Sequence, residues 1–204
     1  MRADNRDFWN RWAGAYDRFM RSSAGVYDQM ADRMKEHLGR EMYVLELACG
    51  TGMISRRIAG SVRHLEATDF SPDMVAQARD KTHSCRVHYS VQDATHLPYA
   101  DRSFDAVVIA NALHVMPQPE RALHEIRRVL KADGLLIAPT FVHGEGAGFR
   151  LRVRSMNLAG FHAYFQWSAA ELARYVSARG FAVTRRELLG SRVAPLCYLE
   201  ARPV

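Results

Sequence analysis

From Met42 onward the chain alternates short apolar runs with amphipathic stretches, and this alternation narrows the possible folds more than any other feature. "MYVLEL", "HLEATD", "CRVHYSV", "FDAVVIAN" and "LLIAPTF" read as strands. "MISRRIAG", "SPDMVAQARDKT" and "QPERALHEIRRVLKADG" read as helices between them, the last closed by Gly134. Strands alternating with helices build a parallel sheet covered on both faces. "FDAVVIAN" is nearly all apolar, as a central parallel strand must be. Ser71 as N-cap and Pro72 in the first turn give one helix a well-defined start. A less regular stretch runs from Val142 to Trp167. Then come a helix, "SAAELARYVSARG", and two strands, "FAVTRRELL" and "APLCYLEARP". These last two leave no room for a crossover helix, so they pair antiparallel at the sheet edge.

Two helices precede the first strand. Phe8, Trp12, Tyr16 and Met20, with Trp9, Ala13 and Phe19 beside them, form one apolar face from Arg6 to Met20. Val26, Met30, Met34 and Leu38 form a second, with Gly39 as its stop. The 204 residues suit one domain. Apolar runs fall short of the roughly 18 residues a spanning helix needs, and "MRADNRDFWNRW" does not read as a secretory signal. Cys49, Cys85 and Cys197 lack the spacing of a disulfide framework or a zinc site, with Cys85 and Cys197 falling inside strands. A cytoplasmic location is the expectation. Lys and Arg exceed Asp and Glu by 28 − 22 = 6. Such a mild excess suits a solvated basic surface, an anionic substrate or a membrane surface.

The loop "ACGTGM" after the first strand brings backbone close to a ligand through Gly50 and Gly52. A nucleoside triphosphate calls for Gly-Lys-Ser/Thr at the end of such a loop, and no lysine is present. A dinucleotide calls for a third glycine, and that position is Ser55. Glu46, just ahead of the turn, would repel a pyrophosphate. A ligand without phosphate and with its own positive charge remains.

Here the sequence resembles the class I S-adenosylmethionine-dependent methyltransferases, in the ubiquinone/menaquinone-biosynthesis-like (type 11) group. "VLELACGTG", "LEATDFSPDMV" and "VQDATHLPYADRSFDAVVIANALHVM" are similar to that family's motifs in order and spacing, and the likeness runs from about Trp9 to the final hairpin. It implies a Rossmann-like α/β fold: a seven-stranded, mostly parallel sheet with helices on both faces, an antiparallel C-terminal hairpin and an N-terminal helical lid. It also implies S-adenosyl-L-methionine as cofactor. Asp69 would accept both ribose hydroxyls. Phe70 and Met74 would flank the adenine, or simply pack in the core. Asp93 would accept from the adenine amino group, beside the backbone N–H of Ala94. Glu46, Ala48, Cys49, Gly50 and Gly52 would form the cofactor loop. Asn111 would lie at the methionine part, Tyr16 would reach its carboxylate, and Trp12 would cover the pocket; packing of an amphipathic helix is the alternative for the last two.

Methyl transfer from a sulfonium is an in-line displacement, so the protein must chiefly align the reactants and exclude water. An acidic acceptor also needs a base. His114, His143 and Glu145 are the candidates, His114 being equally open to a structural or substrate-contacting role. The organisation expected is a helical lid over 1–40 and a cofactor domain over 41–204, with a substrate cap over 141–167, all in one domain. The acceptor expected is a small molecule and not nucleic acid, since "NALH" stands where base-methylating enzymes carry Asp/Asn-Pro-Pro-aromatic. A membrane lipid or quinone reached through peripheral contact, or a module that binds the cofactor without turnover, are the alternatives.

Overall fold

The computed structural model describes residues 6–142, 164–191 and 194–204. Two helices open it, α1 (Arg6–Met20) and α2 (Ala24–Lys35). There follow β1 (Tyr43–Leu47), α3 (Ser55–Ile58), β2 (His64–Asp69), α4 (Pro72–Asp80), β3 (Val87–Val91) and β4 (Phe104–Ile109). Then come α5 (Pro119–Val129), β5 (Leu130–Ile137), β6 (Thr140–Phe141), α6 (Ala169–Ser177), β7 (Phe181–Ser191) and β8 (Ala194–Pro203). The strands form one sheet in the order β3-β2-β1-β4-β5-β8, with β7 on the far side of β8. The pairings among β1 to β5 are parallel. β8 runs antiparallel to both β5 and β7.

The central strands are apolar on both faces because each face is covered. On β4, Ala106 and Val108 face a core shared with Met30 and Met34 of α2, Ile58 of α3 and Val75 of α4. Val107 and Ile109 face a second core with Leu123 and Ile126 of α5 and Leu172 and Val176 of α6. Burying side chains of this size contributes about 1.5–3 kcal/mol each. Met30 and Met34 are fully buried, so α2 is an integral part of the first core.

The helix read as closing at Gly134 ends at Val129, and β5 starts at Leu130. Pairing with β4 decides this. Phe104 faces Leu130, and the ladder resumes with Ala106 opposite Leu135, leaving the intervening residues as a bulge. A Cβ at Gly134 would come within 2.9 Å of Leu130 Cδ2 and of the Lys131 carbonyl, so only glycine fits that bulge. The single strand read as "LLIAPTF" is broken at Pro139, which has no N–H for the ladder. Its two halves keep one register along β8: Leu136 pairs with Ala201, Ile137 with Glu200, Thr140 with Cys197 and Phe141 with Leu196. The sheet therefore has eight strands among the described residues where seven were expected. Helix α2 stops at Lys35, ahead of Gly39. Cys85 lies exposed in the turn before β3 rather than within the strand, whereas Cys197 is buried in β8; Cys49, Cys85 and Cys197 are all free thiols. Among the described residues, no helix is long and apolar enough to cross a membrane.

Candidate active site

The carboxyl ends of β1, β2, β3 and β4 surround a cavity of about 260 Å³, which α1 borders with Arg6, Trp9 and Tyr16. Strained backbone gathers at this cavity. Ala48, Gly50 and Asn111 have φ of 54°, 55° and 54°, and all three line it. For Ala48 the left-handed conformation costs about 1–2 kcal/mol, which the surrounding core must hold in place.

The two loop glycines do different jobs. A Cβ on Gly50 would meet only Tyr16, at 3.8 Å, so its face is open to the cavity. A Cβ on Gly52 would lie 2.6 Å from the Tyr89 hydroxyl and 3.3 Å from Ala78 Cβ. Gly52 is thus required by the packing of β3 and α4 beneath the loop, and it does not reach the cavity wall.

Asp69 ends β2 on the wall and is 9% exposed. Gly50 N donates to its Oδ2 at 2.8 Å and Ser71 N to its Oδ1 at 2.9 Å. Each oxygen retains a lone pair for a further donor. Burial raises the Asp69 carboxyl above its ordinary value, against the pull of those backbone donors. Ser71 Oγ accepts from Met74 N at 3.2 Å, so the expected N-cap is present and leaves Asp69 free for other work. Phe70 and Met74 line the cavity beside Gln92, Asp93 and Ala94. Asp93 Oδ1 accepts from both Thr95 N and Thr95 Oγ1 at 2.8 Å, which fixes its side chain at the rim.

Glu46 does not line the cavity. It is 2% exposed, beneath the loop, and takes the Ser55 hydroxyl at 2.6 Å. Burial pushes its carboxyl up to about 8; the Ser55 donor opposes the shift and the nearby Asp69 adds to it. Ser55, the position that lacks the third glycine, thus serves as the partner of this acid. Cys49 and Trp12 are also off the wall, the latter stacked on Phe8 at 5.7 Å between ring centroids. Trp9 lines the cavity. It lies seven residues before Tyr16, two helical turns along the same face, with ring centroids 6.0 Å apart. That spacing was the available signal for it.

Helix α1 is held over the cavity by buried Phe8, Ala13 and Met20 and by a set of polar contacts. Arg6 sits 4.2 Å above the Phe70 ring and donates to the Phe70 carbonyl. Ser71 Oγ donates to Asn10 Oδ1 at 2.5 Å. Asp17 accepts from the Thr51 hydroxyl and pairs with Lys81 at 3.0 Å.

His114 lies in the turn Leu113–Val115, between wall residues Ala112 and Val115, but its own ring does not line the cavity. Its Nδ1 is buried and has no hydrogen-bond partner among the described residues. Burial pushes its imidazole down to about 4. His143 and Glu145 lie outside the described residues, as does most of the segment read as a substrate cap.

Among the described residues the cation on the wall is Arg6, engaged with Phe70, while two carboxylates face the cavity. That set suits a diol, a purine edge and a ligand carrying positive charge, and it is ill matched to a polyphosphate. Residues 45–138 match the family model described as a methyltransferase domain. A demethylmenaquinone methyltransferase of Clavibacter sepedonicus is 40% identical over 99 residues, covering 48% of this chain and 40% of that protein. Another, from Leptospira interrogans, is 34% identical over 147 residues, covering 65% of this chain and 58% of that protein. The chain thus spans about half the length of these curated relatives. The structure of magnesium protoporphyrin IX methyltransferase from Synechocystis with bound SAH is similar, with a TM-score of 0.73 at 19% identity over 98% of each chain, a likeness of fold. With this sheet, this cavity and the match over residues 45–138, the chain is similar to the methyltransferases in fold and over that segment in sequence.

Proposed function

We propose that this protein transfers a methyl group from S-adenosylmethionine to a small-molecule acceptor, with α1 as the lid over the cofactor. The observation that carries this is Asp69: a buried carboxylate at the end of β2, fixed by Gly50 N and Ser71 N and facing the cavity. In this reading Asp69 takes both ribose hydroxyls. Phe70 and Met74 flank the adenine, and Asp93 and the Ala94 N–H read its edge. Gly50 and Ala48 let the backbone approach, while Tyr16 and Asn111 hold the amino-acid tail. Glu46 lies beneath the loop, where a bound cation would favour its charged form. When bound, the cofactor supplies an electrophilic methyl on a sulfonium. The chain's own contribution is alignment and exclusion of water, from Trp9, Tyr16 and the rest of α1. With so low a basicity His114 stays neutral, and its proposed part is to position the acceptor rather than to take its proton. Within the 1–40 segment the proposed lid is α1, over a cofactor domain at 41–204 to which α2 is packed, with 141–167 as the acceptor cap.

The relatives named demethylmenaquinone methyltransferases favour a quinone-like acceptor as the more specific version of this reading. Calorimetry tests the core of it. S-adenosylmethionine should bind, and Asp69→Ala should weaken binding by about 1.5–3 kcal/mol, the scale of hydrogen bonds to a charged group. Release of S-adenosylhomocysteine with a panel of quinols, phenols, thiols and amines then identifies the acceptor class. Binding of NAD with no response to S-adenosylmethionine would overturn the reading.

A further inference from the structure

The two backbone donors that aim the Asp69 carboxylate sit on different segments. Gly50 N, on the loop after β1, holds Oδ2, and Ser71 N, at the start of α4, holds Oδ1. Helix α1 reaches both segments. Ser71 Oγ donates to Asn10 Oδ1 at 2.5 Å, and the Thr51 hydroxyl donates to Asp17 Oδ1. Asn10 and Asp17 lie seven residues apart (17 − 10), two turns along one side of α1. Arg6, one turn before Asn10, donates to the carbonyl of Phe70, the residue between Asp69 and Ser71.

The β1 loop depends on this helix for its shape. Gly50 and Gly52 sit at φ of 55° and 76°, angles that glycine adopts freely and also leaves freely. Thr51, fully buried between them, is the residue that can hold the loop. Its carbonyl accepts from Arg56 at 2.6 Å. Its buried hydroxyl hydrogen needs an acceptor, and among the described hydrogen bonds Asp17 supplies it. Burial opposes the charge on Asp17, but the Thr51 and Lys81 donors prevail and keep its carboxyl below the ordinary value. At the second segment, Ser71 Oγ takes Met74 N on a lone pair and gives its one hydrogen to Asn10. Asn10 thereby fixes the orientation of the cap.

We propose that Asn10 and Asp17 are positioning residues for the cofactor's ribose: by gripping Ser71 and Thr51, α1 fixes the two segments whose N–H groups aim the Asp69 oxygens. The helix that borders the cavity then also completes its diol site. Coupling of this kind is reciprocal: a diol held by Asp69 favours docked α1 by the same factor by which docked α1 favours the diol. This rests on the S-adenosylmethionine reading, in which Asp69 takes the ribose hydroxyls.

The test is calorimetry with two probes, S-adenosylhomocysteine and its 2′,3′-dideoxyribose analogue, read as the ratio of their affinities. The wild type should prefer the diol. In Asp17→Ala and in Asn10→Ala that preference should fall by about five- to tenfold, part of the strength of hydrogen bonds to a charged group. A helix that merely covers the ligand would weaken both probes alike and leave the ratio where it was. Alanine suits a helix, so Asn10→Ala tests the proposal even where Asp17→Ala does not fold. Lys81→Ala removes the partner of Asp17 Oδ2 but leaves the Thr51 bond to Oδ1, and it should keep the wild-type ratio. A ratio that stays at the wild-type value in the α1 variants, or that falls as far in Lys81→Ala, would overturn the proposal. A wild type that binds both probes equally would instead overturn the assignment of Asp69 to the ribose, and one that binds neither would overturn the cofactor reading.

Discussion

Glu46 offers the sharpest prediction, because its free energy is set by burial and can be read through pH. Its carboxyl is pushed up to about 8. Between the ordinary glutamate value of 4.5 and about 8, the folded chain holds a proton that the unfolded chain has released. Stability is then highest at low pH and is lost as pH rises through that window. For one proton, the linkage relation gives a loss of about 3 kcal/mol between about pH 5.5 and pH 8.5. Water penetration and local relaxation around the ionised acid recover part of this, leaving about 2–3 kcal/mol. Glu46→Gln removes the titration but keeps an oxygen to accept the Ser55 hydroxyl. Thermal unfolding followed across that range should therefore show the two proteins diverging. The variant gains about 4–12 °C in Tm over the wild type at the alkaline end, relative to their difference at the acid end. Saturating S-adenosylmethionine should narrow the gap, since a nearby cation favours the charged acid. Parallel pH profiles for wild type and variant would refute the reasoning, whatever their absolute Tm values.

The two loop glycines should separate in their response to alanine. Gly52→Ala combines a φ of +76° with a Cβ 2.6 Å from the Tyr89 hydroxyl, so denaturant unfolding should show a loss of about 2–4 kcal/mol. Gly50→Ala meets nothing closer than Tyr16 at 3.8 Å, so it should cost only the backbone strain, about 1–2 kcal/mol. Asp17→Asn weakens a half-exposed anchor of α1 to Lys81 and Thr51. Global stability should fall by under about 1 kcal/mol, while trypsin cuts α1 at Arg11 or Arg18 faster than in the wild type.

The parallel core was legible because its determinants are local. β1 and β4 are buried on both faces and read as largely apolar runs, and the Ser71 cap and the chain's turn back into β8 carry their own signals. The junction of α5 and β5 was not. "RRVLKADG" continues a helical pattern, and only pairing of Leu130 with Phe104, a contact across 26 residues (130 − 104), makes it a strand. The site shows the same division. Asp69, Asp93 and Asn111 stand at strand ends, where chain position alone carries them to the cavity rim. Which of Trp9 and Trp12 borders the cavity depends on the rotation of α1, and which glycine faces inward depends on Tyr89. The bond from Asn111 to Tyr27 was hidden because a tyrosine among Val26, Met30 and Met34 is indistinguishable from core, and its partner lies 84 residues away.

The break at Pro139 has a mechanical consequence. The Pro139 carbonyl accepts the Asn111 N–H in line with the β4–β5 pairing, and the register along β8 continues unbroken on either side of Pro139. Asn111 is therefore referenced to β8, whose Leu196, Cys197, Leu199 and Ala201 have no exposed surface. The opposite wall is α1, held by buried Phe8, Ala13 and Met20 and by Arg6, Asn10 and Asp17, polar contacts that water can replace. Under the lid proposed above, the cavity is a vise with one fixed jaw and one travelling jaw: displacement on loading should fall on α1, while the floor referenced to β8 should stay still.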